Sequence, residues 1–404
     1  MIYSAECVID KLKEICPDLF SDSETEQSIS ESKWSDLYKT LSLSTNGELH
    51  SAFEELRLKF SEHLRLGNVI FLFGNGTSMY AGSQSTMNFN ISDYAKIDEF
   101  KDIEGELSNV ADSVKGIEEQ LNALSTIESY FHITKDKREN CTSQLISKIK
   151  HDLIENFVDS LDYRFLCFHR LMLQKLRAFC VLPKTKIYTT NYDLAFEYTM
   201  DSLGIVYKDG FTGFVNRLFD PRTLSENGMP SLIKIHGSVN WIHEENRIKA
   251  IQPEFNDGKV KVTNTDPVVI YPTSNKLYQT YATPYSELMR HMLDEMKSGS
   301  NIVVVIGYGY RDDHVNEILY KAIENPKNIF YFFTYESPYK NEFIKEMREL
   351  GRDMPNINIL SGFILGSFDI FVRYIMPAVA EDIEREKIVE TLREMLEQAN
   401  EQDR

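Results

Sequence analysis

The sequence predicts an α/β protein whose mostly parallel sheet carries helices on both faces. Two patterns lead there. Seven runs of strand length recur along the chain: Val69–Phe73, Lys186–Thr190, Ser231–Ile235, Val268–Tyr271, Ile302–Ile306, Ile329–Thr334 and Ile357–Leu360. Most are near-continuously apolar, as strands covered on both sides are. Helical periods alternate with the main strands, one opening near Asp193 and another near Asp312, and such alternation feeds parallel strands.

The elements follow in order. Residues 1–66 read as a helical region, with stripes at Cys7, Val8, Leu12 and Ile15 and at Phe53, Leu56, Phe60 and Leu64. The polar stretch Ser21–Ser32 separates them as a loop. Gly67-Asn68 stops the second helix ahead of the first strand. Ala81 to about Tyr94 is polar and is expected to be a mobile loop. From about 104 to 180 the chain is helical again, with Leu145, Ile149, Leu153, Phe157, Leu161 and Phe165 on one face. Pro183 closes that block. Asn256-Asp257-Gly258 marks a hairpin turn. The tail Glu381–Arg404 is a charged helix carrying Ile388, Leu392, Met395 and Ala399, either packed on the body or bound to a partner. These readings divide the chain into 1–66, a body at 67–375 with a helical insertion at about 95–182, and an amphipathic helix at 376–404.

Composition narrows the function. With 404 residues, 42% hydrophobic and 26% charged, the chain is long enough for a core without staples. Its net charge of −18 argues against binding nucleic acid directly. No apolar run approaches membrane-spanning length, and no basic n-region follows Met1, so a cytoplasmic location is expected. Five cysteines (Cys7, Cys16, Cys141, Cys167 and Cys180) include no C-x-x-C pair and read as buried free thiols. With no H-E-x-x-H either, no metal site is expected.

Chemistry gathers where four strands end. Val69–Phe73 runs into Gly74-Asn75-Gly76-Thr77-Ser78, and Lys186–Thr190 into Asn191-Tyr192-Asp193. Ser231–Ile235 leads to His236-Gly237-Ser238, and Ile302–Ile306 to Gly307-Tyr308-Gly309 with Asp312 behind it. In open parallel sheets ligands bind beyond the carboxyl ends of strands, so these four segments are expected to line one crevice. Gly74-x-Gly76 after a strand is a phosphate-cradle pattern, because backbone N–H groups can approach an anion with no Cβ in the way. Met79 stands where a dehydrogenase would have its third glycine. Each segment also has a plainer explanation. The glycines can make a tight turn, Asp193 can cap a helix, His236 can be a core histidine, and Asp312 and Asp313 can face a helix dipole.

Together these residues resemble the sirtuin family of NAD-consuming proteins, in the divergent branch found in bacterial antiphage systems. The family's G-x-G-x-S element matches Gly74, Gly76 and Ser78. Its T-x-N-x-D element matches Thr189-Thr190-Asn191-Tyr192-Asp193, and its H-G matches His236-Gly237. The branch's P-x-x-x-K segment matches Pro272 and Lys276, and its G-Y-[SG]-x-x-D element matches Gly307, Tyr308, Gly309 and Asp312. The order is the family's own, across roughly 67–375. Two departures stand out. The zinc-binding pair of C-x-x-C motifs of protein-deacylating sirtuins is absent, and Tyr80-Ala81-Gly82-Ser83-Gln84 replaces their G-I-P-D-F-R loop. The resemblance therefore implies a Rossmann-like sheet with a helical subdomain in place of the zinc module.

The resemblance also implies a chemistry. Splitting NAD at the nicotinamide–ribose bond passes through an oxocarbenium-like state. Asn191 would hold the ribose hydroxyls or a water, and His236 would be the general base. Asp193 would grip the carboxamide or stabilise developing positive charge. Gly74–Ser78 would cradle the pyrophosphate, Gly307, Gly309 and Asp312 would seat the adenosine ribose, and Thr190 and Tyr308 would also be among the NAD-binding residues. Gly362–Ser367 is the expected adenine pocket. The implied activity is NAD hydrolysis to nicotinamide and ADP-ribose in antiphage defence, with NAD as substrate and no metal. A non-catalytic NAD or ADP-ribose sensor is the alternative, and a protein deacylase a weaker one. Unrestrained NAD hydrolysis would poison the cell, so a homo-oligomer is expected, with a HerA-type ring ATPase as the partner the resemblance implies.

Overall fold

Strands that are apolar on both faces need two covers, and the computed structural model supplies both. It describes residues 47–84, 91–113, 117–158, 160–225, 228–245, 247–261, 267–269, 283–335, 339–362 and 365–379. In chain order, α1 (Gly47–Leu66) leads into β1 (Asn68–Phe73). A helical block follows, with single 3-10 segments at Ile91–Lys96 and Asp98–Ile103, then α2 (Glu104–Ser113), α3 (Ile117–Thr134), α4 (Arg138–Val158) and α5 (Cys167–Ala178). Next come β2 (Thr185–Thr189), α6 (Ala195–Ser202), β3 (Phe211–Thr212), β4 (Arg217–Phe219), β5 (Ser231–Lys234), β6 (Trp241–Glu244), β7 (Arg247–Ala250), β8 (Glu254–Asn256) and β9 (Lys259–Lys261). The last stretch alternates α7 (Tyr285–Lys297), β10 (Asn301–Ile306), α8 (Asp313–Ile323), β11 (Ile329–Thr334), α9 (Glu342–Leu350) and β12 (Ile357–Ser361). Helical turns at Phe368–Ile370 and Phe371–Ile375 follow β12.

Six strands form the central sheet in the order β12-β11-β10-β1-β2-β5, and every pairing is parallel. From β1 the chain builds outward through β2 to β5, then returns to β10 on the other side and builds outward again. This is the Rossmann-like order, and its switch point falls between β1 and β10. Alternate residues of each strand enter different cores. Val69, Phe71, Phe73, Val304 and Ile306 face α1, α5 and α6, while Ile70, Leu72, Val303 and Val305 face α7, α8 and α9. Each such fully buried side chain contributes roughly 1.5–3 kcal/mol of apolar transfer energy. That is why the strands tolerate so little polarity until they end.

A third core joins the helical block to the body, uniting Leu107, Leu121, Leu145, Ile149 and Leu153 with Leu194 and Val239. The insertion between β1 and β2 thus packs against the segments that follow β2 and β5.

Several expectations need correcting. The stripe of 145–165 is not one helix: α4 ends at Val158, and Phe165 lies in a separate 3-10 turn, 61% exposed. Leu145, Ile149 and Leu153 are buried as expected. Of Val268–Tyr271, only 268 and 269 are described, and Val269 makes an isolated antiparallel bridge to Gly237 instead of a strand of the main sheet. Four short antiparallel strands, ordered β3-β4-β7-β6, form a second sheet that the periodicity missed. They are too short for alternation to register. The thiols of Cys167 and Cys180 are free but exposed, and that of Cys141 is half-exposed. The hairpin at Asn256-Asp257-Gly258 is present between β8 and β9, with Asp257 and Gly258 both at positive φ. The flanking parts of the loop expected at 81–94 form 3-10 turns at Met79–Ala81 and Ile91–Lys96. Readings placed on 1–46, Pro272, Lys276 and 380–404 fall outside the described residues. Among the described residues, no helix is long and apolar enough to cross a membrane.

Candidate functional site

β10, β1, β2 and β5 are neighbours and run parallel, so their carboxyl ends open on one edge of the sheet. All four polar segments begin there. The switch point lies at the centre of this group.

Gly74 and Gly76 are required by close packing against the segment after β10. A Cβ on Gly76 would come within 2.8 Å of Gly307 Cα, and one on Gly307, at φ +69°, within 2.6 Å of the Thr77 amide. Backbone bonds close the same contact. Gly74 N donates to Ile306 O (3.2 Å) and Gly76 N to Gly307 O (2.9 Å), while the Thr77 and Ser78 amides turn back to Gly74 O and Asn75 O. The expected cradle is thus a tight turn whose amides at 74, 76, 77 and 78 already have acceptors. Asn75 braces it, accepting from Ser83 Oγ and donating to Gln84 O, each at 2.6 Å.

Side chains behind that turn form one connected group. Ser78 Oγ donates to Asp193 Oδ2 (2.9 Å) and accepts from Asn191 Nδ2 (3.2 Å). Thr77 Oγ1 stands 3.5 Å from the same amide. Asp193 Oδ1 accepts from Ala195 N (2.9 Å), so this carboxylate both braces the entry to α6, whose N-cap residue is Leu194, and fixes Ser78. Thr190 N donates to Phe73 O (3.0 Å), tying the end of β2 to the end of β1. Asn191 Oδ1 is buried and has no hydrogen-bond partner. An acceptor left so costs roughly 1–3 kcal/mol, a cost a bound donor would remove.

Lys234 holds this group from below. On β5, 3% exposed, it donates to Tyr192 O (3.1 Å) and to Asp193 O, and pairs with Glu197 Oε1 at 3.1 Å. Burial raises the Glu197 carboxyl pKa, and the Lys234 charge pulls it back down. One buried ammonium thereby clamps the Asn191–Asp193 turn to the strand that carries His236.

His236 is 4% exposed. Gly237, at φ +88°, is forced by the Val268 carbonyl, into which a Cβ would run. His236 Nε2 lies 2.9 Å from His314 Nε2. His314 belongs to the first turn of α8, which follows β10. Tyr308 is buried, its hydroxyl 3.2 Å from Asp312 O and 3.3 Å from Asn316 Oδ1, and burial raises its pKa well above the ordinary value. Gly309 faces open space, with only Arg311 Cγ at 4.0 Å from an added Cβ. Asp312 is the N-cap residue of α8 without a side-chain cap bond. Gly362 N bonds Thr334 O and Gly366 N bonds Gly362 O, folding that segment over the end of β11.

The structure thus brings Gly74–Ser78, Thr190, Asn191, Asp193, His236, Gly307–Gly309 and Asp312 to one edge. Sequence reasoning missed Lys234, Glu197 and His314. Lys234 had a signal, being a charge inside an otherwise apolar strand. His314 directly follows Asp312-Asp313, but its pairing with His236 shows only in the folded chain. Glu197 had none, since a first-turn glutamate is ordinary on any helix. Among the described residues, no group of three or more His, Cys, Asp or Glu is arranged to hold a metal ion.

Comparison with known proteins shows what the chain is similar to. A family model described as a SIR2-like domain matches residues 185–351, from β2 to the end of α9. The match takes in Asn191, Asp193, His236 and Gly307–Asp312, and leaves out the Gly74–Ser78 turn and the helical insertion. Among solved structures, a crystal structure of a Sir2 homolog–NAD complex is 12% identical, covering 79% of this chain and 93% of its own, at a TM-score of 0.39. No curated protein matches the chain.

Proposed function

We propose that this protein is an NAD glycohydrolase that splits NAD into nicotinamide and ADP-ribose and depletes NAD in antiphage defence. One observation carries the reading. The partnerless buried oxygen of Asn191 sits in a fixed Ser78–Asp193 group beside the switch point, on the edge where His236 emerges. An acceptor of this kind suits a ribose hydroxyl. The match to a SIR2-like domain takes in Asn191, Asp193 and His236, though not Ser78, and supports the same substrate class.

The side chains divide the work. Asn191 Oδ1 accepts from a ribose hydroxyl or from the attacking water, with its Nδ2 locked on Ser78. Asp193, both of whose oxygens already accept bonds, acts through its charge and opposes the positive charge developing at the ribose carbon. His236 takes the proton. The leaving nicotinamide nitrogen is already cationic in NAD, so no acid is needed to expel it. The amides of Gly74, Gly76, Thr77 and Ser78 are committed, so the pyrophosphate is met by the outer face of the turn and by the open space at Gly309. Control is proposed to come from self-assembly and a partner protein, the route expected from the sequence.

A non-catalytic nucleotide sensor is favoured by one observation, the engagement of His236 Nε2 by His314. Purified protein incubated with NAD, with nicotinamide and ADP-ribose followed by chromatography, separates the two. Product formation lost in Asn191→Ala supports hydrolysis. Saturable NAD binding with no product, in the presence of any assembly partner, supports the sensor.

A further inference from the structure

We infer that His314 is a positioning residue for His236 and carries away the proton that His236 accepts. This rests on the hydrolase reading above. His236 is 4% exposed, so a proton it accepts needs a route to water. Its Nε2 is 2.9 Å from Nε2 of His314, with ring centroids 5.1 Å apart and planes tilted by 39°. His314 is half-buried, within reach of solvent. The two residues belong to segments that follow β5 and β10, separated in the sheet by β1 and β2. Three strand spacings are roughly 14 Å, so the imidazoles meet across the edge that carries Asn191 and the Gly74–Ser78 turn.

At this separation the two Nε2 atoms hold one proton between them. Two N–H groups would collide and two lone pairs would repel. The working tautomer has His236 donating through Nε2–H, which leaves its Nδ1 as the base. In the reaction the water oxygen bonds to the ribose carbon, and the carbon–nitrogen bond breaks with its electron pair going to nicotinamide. The water proton goes to His236 Nδ1, the Nε2 proton passes to His314 Nε2, and His314 releases its Nδ1 proton to solvent. One proton enters the pair and one leaves. Ring rotation or exchange with water then resets the tautomers.

The test compares wild type, His314→Ala and His314→Gln in weakly buffered solution, with and without added imidazole. His314→Ala should lower kcat about 10- to 100-fold with KM nearly unchanged, and imidazole should restore much of it. His314→Gln keeps a donor but cannot pass a proton, so it should stay slow until imidazole is added. A purely structural role would show the reverse, with rescue by glutamine and none by imidazole, and would overturn the relay. So would an unchanged kcat in His314→Ala. A wild type that leaves NAD intact overturns the hydrolase reading itself, and the relay with it. The pairing is checked independently by NMR of histidine-labelled protein. A downfield shared N–H···N proton that vanishes in His314→Ala supports it, and its absence from wild type overturns it, whatever happens to NAD.

Discussion

Two buried asparagines at opposite ends of the same sheet are treated differently. At the amino edge, Asn328 is fully buried just before β11. Its Nδ2 donates to Met296 O (2.6 Å) and Ala322 O (3.0 Å). Its Oδ1 accepts from Asn301 N (3.2 Å), Asn301 Nδ2 (3.0 Å) and Asn325 Nδ2 (3.2 Å). At the carboxyl edge, Asn191 has a fixed Nδ2 and an unanswered Oδ1. An orphan oxygen alone does not mark a site, for Asn301 Oδ1 is one too. The company distinguishes Asn191: a carboxylate held by Ser78, a glycine contact at the switch point, and a histidine pair on the same edge. Asn328 is answered on both sides of its amide, and Asn191 is left with an acceptor to offer.

Exchanging roles should break this contrast. Asn191→Ala should lower NAD cleavage at least about 100- to 1,000-fold and shift stability by less than about 1 kcal/mol. Asn328→Ala, which removes all five of these buried bonds, should cost about 3 kcal/mol in urea unfolding and leave kcat of the remaining folded protein intact. Equal stability losses in both would refute the distinction. The glycines sharpen it. Gly307→Ala should destabilise by about 2 kcal/mol or more, because φ is +69° and the Thr77 amide blocks the Cβ, whereas Gly309→Ala should change stability by less than about 0.5 kcal/mol. Thermal melts of both variants decide that.

A further effect concerns acid. His169 is fully buried, and burial lowers its pKa from 6.5 to about 3. Tyr80 Oη accepts from the Phe168 and His169 amides, so its own proton goes to His169 Nδ1 (2.8 Å) and the ring proton sits on the partnerless Nε2. The unfolded chain therefore binds a proton below pH 6.5 that the native state refuses. Stability from this group is complete above 6.5 and falls by about 1.4 kcal/mol per pH unit down to about 3. Unfolding curves of His169→Leu between pH 4 and 7 should show a slope shallower by about one proton than wild type.

The strands were legible because burial on both faces leaves little that is polar in them, and the four strand ends because polarity gathers there. Parallel pairing then followed from strand–helix alternation, whereas the strand order that sets the switch point did not. What stayed hidden depended on contacts distant in sequence. Whether the Gly74–Ser78 amides meet a ligand or Gly307 is settled by the neighbouring loop. His314 needed the crossing from β10 toward β5, and Glu197 needed its partner Lys234 on another strand. The antiparallel strands β3, β4, β6 and β7 have two to four residues each, below the length at which alternation speaks.

The central claim is that the carboxyl edge receives a dinucleotide on Asn191. A crystal structure of His236→Ala soaked with NAD tests it most directly, because loss of the base should preserve the substrate. The account expects NAD across the β1–β10 switch point with a ribose hydroxyl donating to Asn191 Oδ1. NAD bound elsewhere on the chain, or at this edge with Asn191 Oδ1 untouched, would contradict it.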